Sequence, residues 1–173
     1  MEGVVNCAAY ANGHRTGDIE IERISDVLAE PGGFVWIGLY APSEVILKQM
    51  QEEFQLHDLA IEDAHRAHQR PKLETYADTI FIVMRTLHMP AGQHEIDFGE
   101  IHFFVGKNFL LTVRHGSSRA YKDVGSRCES TPHLLRKAPG FALYAVMDSI
   151  VDQYFPVIDS LSEELGTLPR SLG

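Results

Sequence analysis

The stretch 56-LHDLAIEDAHRAHQRPKLETYADTIFIVMRTL-87 changes its period halfway along. Over its first part, Asp58 and Glu62 stand at i, i+4 and Glu62 and His65 at i, i+3. That spacing predicts a helix over Asp58 to His65, and Pro71 forbids its continuation. Beyond the proline, 72-KLETY-76 and 79-TIFIVMRTL-87 have the composition of strands, with Ala77-Asp78 between them. A helix feeding a strand pair predicts a domain in which both element types are mixed.

Working outward, 34-FVWIGL-39 is a continuous apolar run of strand length. Pro42-Ser43 then opens a helix in which Val45, Leu47, Met50 and Phe54 are expected to share an inner face. Nearer the start, residues 4–22 predict two short strands around 12-NGHRTGD-18, with Ile19 and Ile21 alternating against Glu20 and Glu22. The segment 24-ISDVLAE-30 predicts a short helix stopped by 31-PGG-33. Downstream, 98-FGEIHFFV-105 and 109-FLLTVRH-115 flank Gly106-Lys107-Asn108, a three-residue hairpin signal. A helix of mixed character is expected from Ser118 to Glu129.

The last element differs in kind. From Phe141 to Leu168 the positions Leu143, Met147, Ile150, Tyr154, Val157, Leu161, Leu165 and Leu168 step by fours and threes, which is a seam for another helix. Asp148, Asp152, Asp159 and Glu163 fall within about 60° of one another on the same cylinder. Pro156 removes the hydrogen bond to the Asp152 carbonyl, so a kink is expected. These features divide the chain into an α/β part, 1–140, and a long helix, 141–173. The seam finds no matching second helix, which predicts an oligomer or a chain that continues further.

Composition narrows the function classes. The 173 residues carry 45% apolar and 23% charged side chains, the balance of a soluble globular domain. Twenty-four acids against fifteen bases give −9, which excludes nucleic acid as the main partner and favours cations. Two cysteines without a CxxC pair point to a reducing compartment. The first residues lack the basic and apolar regions of a signal peptide, and no apolar run approaches the roughly 20 residues of a membrane span.

The acids and histidines after Leu56 admit three readings: a metal site, an acid–base pair or a solvated helix face. A tight zinc site would draw on His57, Glu62, His65 and His68, with His65 and His68 at i, i+3 if the helix reaches that far. Glu62 and Asp63 point about 100° apart, so they offer negative charge in two directions rather than one chelate. Such oxygen ligands suit Mg²⁺, which keeps much of its water. Catalysis has no support: there is no GxSxG, phosphate loop, HExxH or Cys/His pair, and no enzymatic activity is expected.

The same residues carry a family likeness. Leu56-His57, 59-LAIED-63, 68-HQRPKLE-74, Tyr76 and Phe81-Ile82-Val83 resemble the cytoplasmic domain of the CorA family of divalent-cation (Mg²⁺/Co²⁺) channels. So do 36-WIGL-39, 103-FFVGKNFLLT-112 and 143-LYAVMDSIVDQYFPVID-159, giving a likeness over residues 34–165.

The resemblance implies an α/β/α fold, a mixed sheet sandwiched between helices, followed by the beginning of a long stalk helix. It implies a homopentamer in the full-length protein, with membrane helices bearing Gly-Met-Asn beyond this sequence, and a place at the cytoplasmic face of the cell membrane. By position, Glu62, Asp63 and Asp148 match acidic ligands for a regulatory Mg²⁺ (or Co²⁺) between adjacent subunits. The zinc-transporting ZntB branch shares the fold. Two rivals stand apart from the family: a free-standing metal-dependent protein built on the histidines, and a plain oligomerisation module whose acids only solubilise.

Overall fold

The computed structural model describes residues 3–90, 95–116 and 121–167. Seven strands form one sheet: β1 Val4–Ala11, β2 His14–Asp18, β3 Gly33–Tyr40, β4 Lys72–Tyr76, β5 Thr79–His88, β6 Asp97–Val105 and β7 Phe109–Gly116. Their order is β2-β1-β3-β7-β6-β5-β4. β3 and β7 run parallel, Val35 opposite Phe109, and every other neighbouring pair is antiparallel. The apolar run in β3 is buried on both faces, as a strand at the centre of a covered sheet must be.

Helices cover both faces. On one side lie α1 Ile24–Ala29, α2 Glu44–Phe54 and α3 Asp58–His65. Ile24, Leu47, Met50, Phe54, Ala60 and Ala64 pack there on Ile37, Phe81, Phe104 and Leu111. On the other side lie α4 Lys122–Glu129, α5 Pro132–Leu135 and α6 Gly140–Thr167. Val124, Leu135, Val146 and Ile150 cover Trp36, Ile101, Phe103 and Leu110. The fold is therefore α/β, with helices on both faces of a mixed sheet, as expected.

Several local expectations need correction. Ser43 caps α2, its Oγ accepting from Ile46 N at 3.4 Å. That register makes Ile46, not Val45, the fourth inner residue, and Val45 is exposed. The second strand ends at Asp18, and Ile21 is buried in a 3-10 turn instead of alternating along a strand. Residues 118–120 of the expected fourth helix lie outside the described residues, and the described helix begins at Lys122. The short α5, opened by Pro132, was not anticipated.

α6 runs unbroken through Pro156. Its buried row is Ala142, Val146, Ile150 and Val157, flanked by half-buried Leu143, Met147 and Tyr154. The row thus begins one residue before the expected seam. Leu161 and Leu165 are exposed, while Leu168 lies outside the described residues. Among the described residues no helix is long and apolar enough to cross a membrane.

Candidate metal site

α3 carries the acidic pair and is pinned at both ends. At its start, His57 Nδ1 accepts from Leu59 N at 3.2 Å and the ring stacks on Tyr76, centroids 4.5 Å apart. His57 is thus a helix cap. Ala60 and Ala64 let the helix sit close against the sheet. At its far end, a His115 ring nitrogen (Nε2) lies 2.7 Å from the Ala64 carbonyl, and Gln69 N donates to Glu100 Oε2 at 3.0 Å. Two side chains rising from the sheet therefore hold the last turn of α3 and the loop after it.

Each acid has a cation of its own. Glu62 Oε1 pairs with Arg66 Nη2 at 2.9 Å on the exposed surface. Asp63 is half-buried, and Lys72 Nζ bridges Asp63 Oδ2 at 2.5 Å and Glu74 Oε2 at 3.1 Å. The hydrogen bond to Asp63, ahead of that to Glu74, holds the Lys72 ammonium above its usual range. Tyr76 Oη donates to Glu74 at 2.5 Å, and this bond is the main cause of the lowered Glu74 pKa. Glu62 and Asp63 are thus not a bare repelling pair. A cation approaching Asp63 meets the Lys72 ammonium already held on Oδ2.

Asp148 is exposed on α6, in the layer opposite α3. A single chain therefore brings Glu62 and Asp63 together as neighbours but leaves Asp148 across the sheet. Among the described residues, no three His, Cys, Asp or Glu side chains gather as a metal cluster. The histidine-zinc constellation fails on backbone grounds. α3 stops at His65, Arg66 turns extended, and His68 sits at φ +71, outside the helix that would have aligned it with His65.

Two features near the pair escaped sequence reading. Lys72, Glu74 and Tyr76 are i, i+2, i+4 on β4, and strand alternation alone could have placed them together. The second is a buried polar group: Glu100 is 2% exposed and His102 is fully buried. His102 Nε2 lies 3.3 Å from Glu100 Oε1 without a hydrogen bond, and the His102 and His115 rings meet at 5.4 Å. Burial drives His102 down to about 4, against the opposing pull of Glu100. Because both faces of β6 are covered, its alternation carried no sign that polar residues sat inside.

Sequence and fold comparisons bear on the family and the fold. Residues 31–172 match the family described as CorA-like Mg²⁺ transporter protein. The putative metal ion transporter YfjQ of Bacillus subtilis is 29% identical over 170 residues, 97% of this chain and 51% of that protein. The chain thus spans about half the length of this relative. The soluble domain of CorA from Methanocaldococcus jannaschii superposes with TM-score 0.63 at 18% identity, over 96% of this chain and 64% of that one. The ZntB cytoplasmic domain from Vibrio parahaemolyticus gives 0.68 at 12%, over 96% and 65%. With the family match spanning most of its length, the chain belongs to the CorA-like Mg²⁺ transporter proteins.

Proposed function

We propose that this chain is the cytoplasmic, ion-sensing part of a divalent-cation channel, regulating transport and not catalysing a reaction. Residues 1–140 form the sensing domain and 141–173 begin a stalk leading to membrane helices outside this sequence. Mg²⁺, or Co²⁺, binds between adjacent copies of a homopentamer, using Glu62 and Asp63 of one copy and Asp148 of the next.

The observation that carries this reading is the placement of the acids. Asp63 and Asp148 lie in opposite layers of one domain, the arrangement that lets one copy's α3 face its neighbour's α6 around a ring. A hydrated divalent ion then links two negatively charged subunits, drawing Asp63 away from Lys72. Since Asp63 already has a counter-ion, affinity is low, which suits an ion present at high concentration. High Mg²⁺ favours the bridged, closed assembly, and low Mg²⁺ releases it; the shift is set by the affinity difference between the two states.

The test is ion flux through the full-length protein at graded internal Mg²⁺. Asp63→Ala with Asp148→Ala should leave the channel conducting where the wild type closes; unchanged inhibition sinks the assignment. A zinc-carrying channel of the same fold is the second reading, favoured by the ZntB likeness and by exposed His65 two residues from Asp63. Flux measured with Zn²⁺ against Mg²⁺ separates the two.

A further inference from the structure

On the α4 and α6 side of the sheet, away from α3, β1, β3, β7 and α4 line a half-open cavity of about 310 Å³. That is the scale of a small organic ligand. Two glycines line it. On β3, Gly38 leaves room for the Asn6 side chain across the strand pair, and on α4 a Cβ at Gly125 would meet nothing within 4 Å. Ala8, Trp36 and Val146 give the cavity an apolar wall.

The polar part of the lining is specific. Arg114 is 6% exposed, with its guanidinium between the rings of Tyr40 and Tyr121, 5.4 and 5.7 Å from their centroids. The Tyr121 Oη is buried and has no hydrogen-bond partner among the described residues. Such an orphaned phenol is rare in a folded chain. Five donors in one plane allow a guanidinium to take a bidentate anion alongside its other contacts. Glu129, held by Tyr10 Oη at 2.9 Å and Arg15 Nε at 3.5 Å, lines the cavity too and disfavours a doubly charged guest.

We infer that this cavity binds a small organic monocarboxylate with a flat apolar body. Arg114 and Tyr121 take the two carboxylate oxygens, and the body lies against Trp36. The site is separate from the acidic pair on α3 and does not rest on the ion-sensing reading.

Trp36 is the chain's one tryptophan, so its fluorescence reports on the cavity. The 173-residue chain is titrated with benzoate, with uncharged benzamide, with short aliphatic monocarboxylates and with inorganic phosphate. A monocarboxylate should give a saturable change, and benzamide and phosphate should bind at least about tenfold more weakly. Arg114→Gln should weaken that binding by about tenfold or more. Gly125→Leu, which fills the space from α4, should abolish it while circular dichroism and the urea midpoint stay close to wild type. The proposal is overturned if no monocarboxylate saturates, if benzamide binds equally well, or if binding survives Gly125→Leu.

Discussion

His102 sits where a charge cannot be hydrated, fully buried against the edge of Phe81 and the ring of His115. Its pKa is about 4 in the fold against about 6.5 in an unfolded chain. Between those values the unfolded chain binds a proton that the native chain does not, so native stability is lost as pH falls from 6.5 toward 4. From pH 7 to pH 5 this one group accounts for about 2 kcal/mol. Urea unfolding at the two pH values should show His102→Gln losing less stability than wild type by about that amount. Equal losses would mean that His102 is charged in the fold. Lys72 offers a contrast at the same scale. Partly exposed ion pairs contribute at most about 1 kcal/mol, so Lys72→Met should barely lower the unfolding free energy. By removing the cation that competes at Asp63, it should tighten Mg²⁺ binding, and calorimetry on the assembled full-length protein reads this directly. Weaker Mg²⁺ binding would mean that Lys72 positions Asp63 instead of blocking it.

At the scale of elements, legibility followed how many faces each one buries. α3 was readable from Asp58 to His65 because its spacing and Pro71 bound it on both sides, and the structure gives those limits. β3 and the β6–β7 hairpin were readable from apolar runs around turn residues. The shifted row on α6 was not, because a helix with apolar side chains all round leaves its inward face to be chosen by packing, and on α2 the run Val45-Ile46-Leu47 left open which of its apolar residues turn inward. Tyr144, Val151, Phe155 and Ile158 are exposed on α6 for the same reason, while smaller Ala142 and Val146 face the sheet. Glu100 and His102 stayed hidden in a strand with two buried faces. Pro156 lies within α6 at an exposed position and denies the Asp152 carbonyl its helical donor. An interior helical proline costs about 3 kcal/mol relative to alanine. Pro156→Ala should therefore raise the unfolding free energy by about 1–3 kcal/mol, measured by urea with ellipticity as the signal. No gain would show that the helix is already relaxed around the proline.

For the whole molecule, the decisive fact is the sheet between the two acidic elements. Seven strands hold α3 and α6 apart, so no side-chain rearrangement within one chain brings Asp63 to Asp148. Any ion that touches both must be shared between copies. The full-length protein with Asp63→Cys and Asp148→Cys, treated with a short bis-maleimide, tests this without measuring transport. Cys7 and Cys128 are buried, which limits their reaction in the folded state. If neighbours meet as proposed, denaturing gels should show a ladder from two to five chains, and each single-cysteine variant should show far less. A double variant that stays monomeric on the gel, while the protein runs as an oligomer in solution, would place α3 and α6 at different interfaces. Glu62, Asp63 and Asp148 would then be three solvated acids, and the regulatory ion would have to be sought elsewhere on the domain.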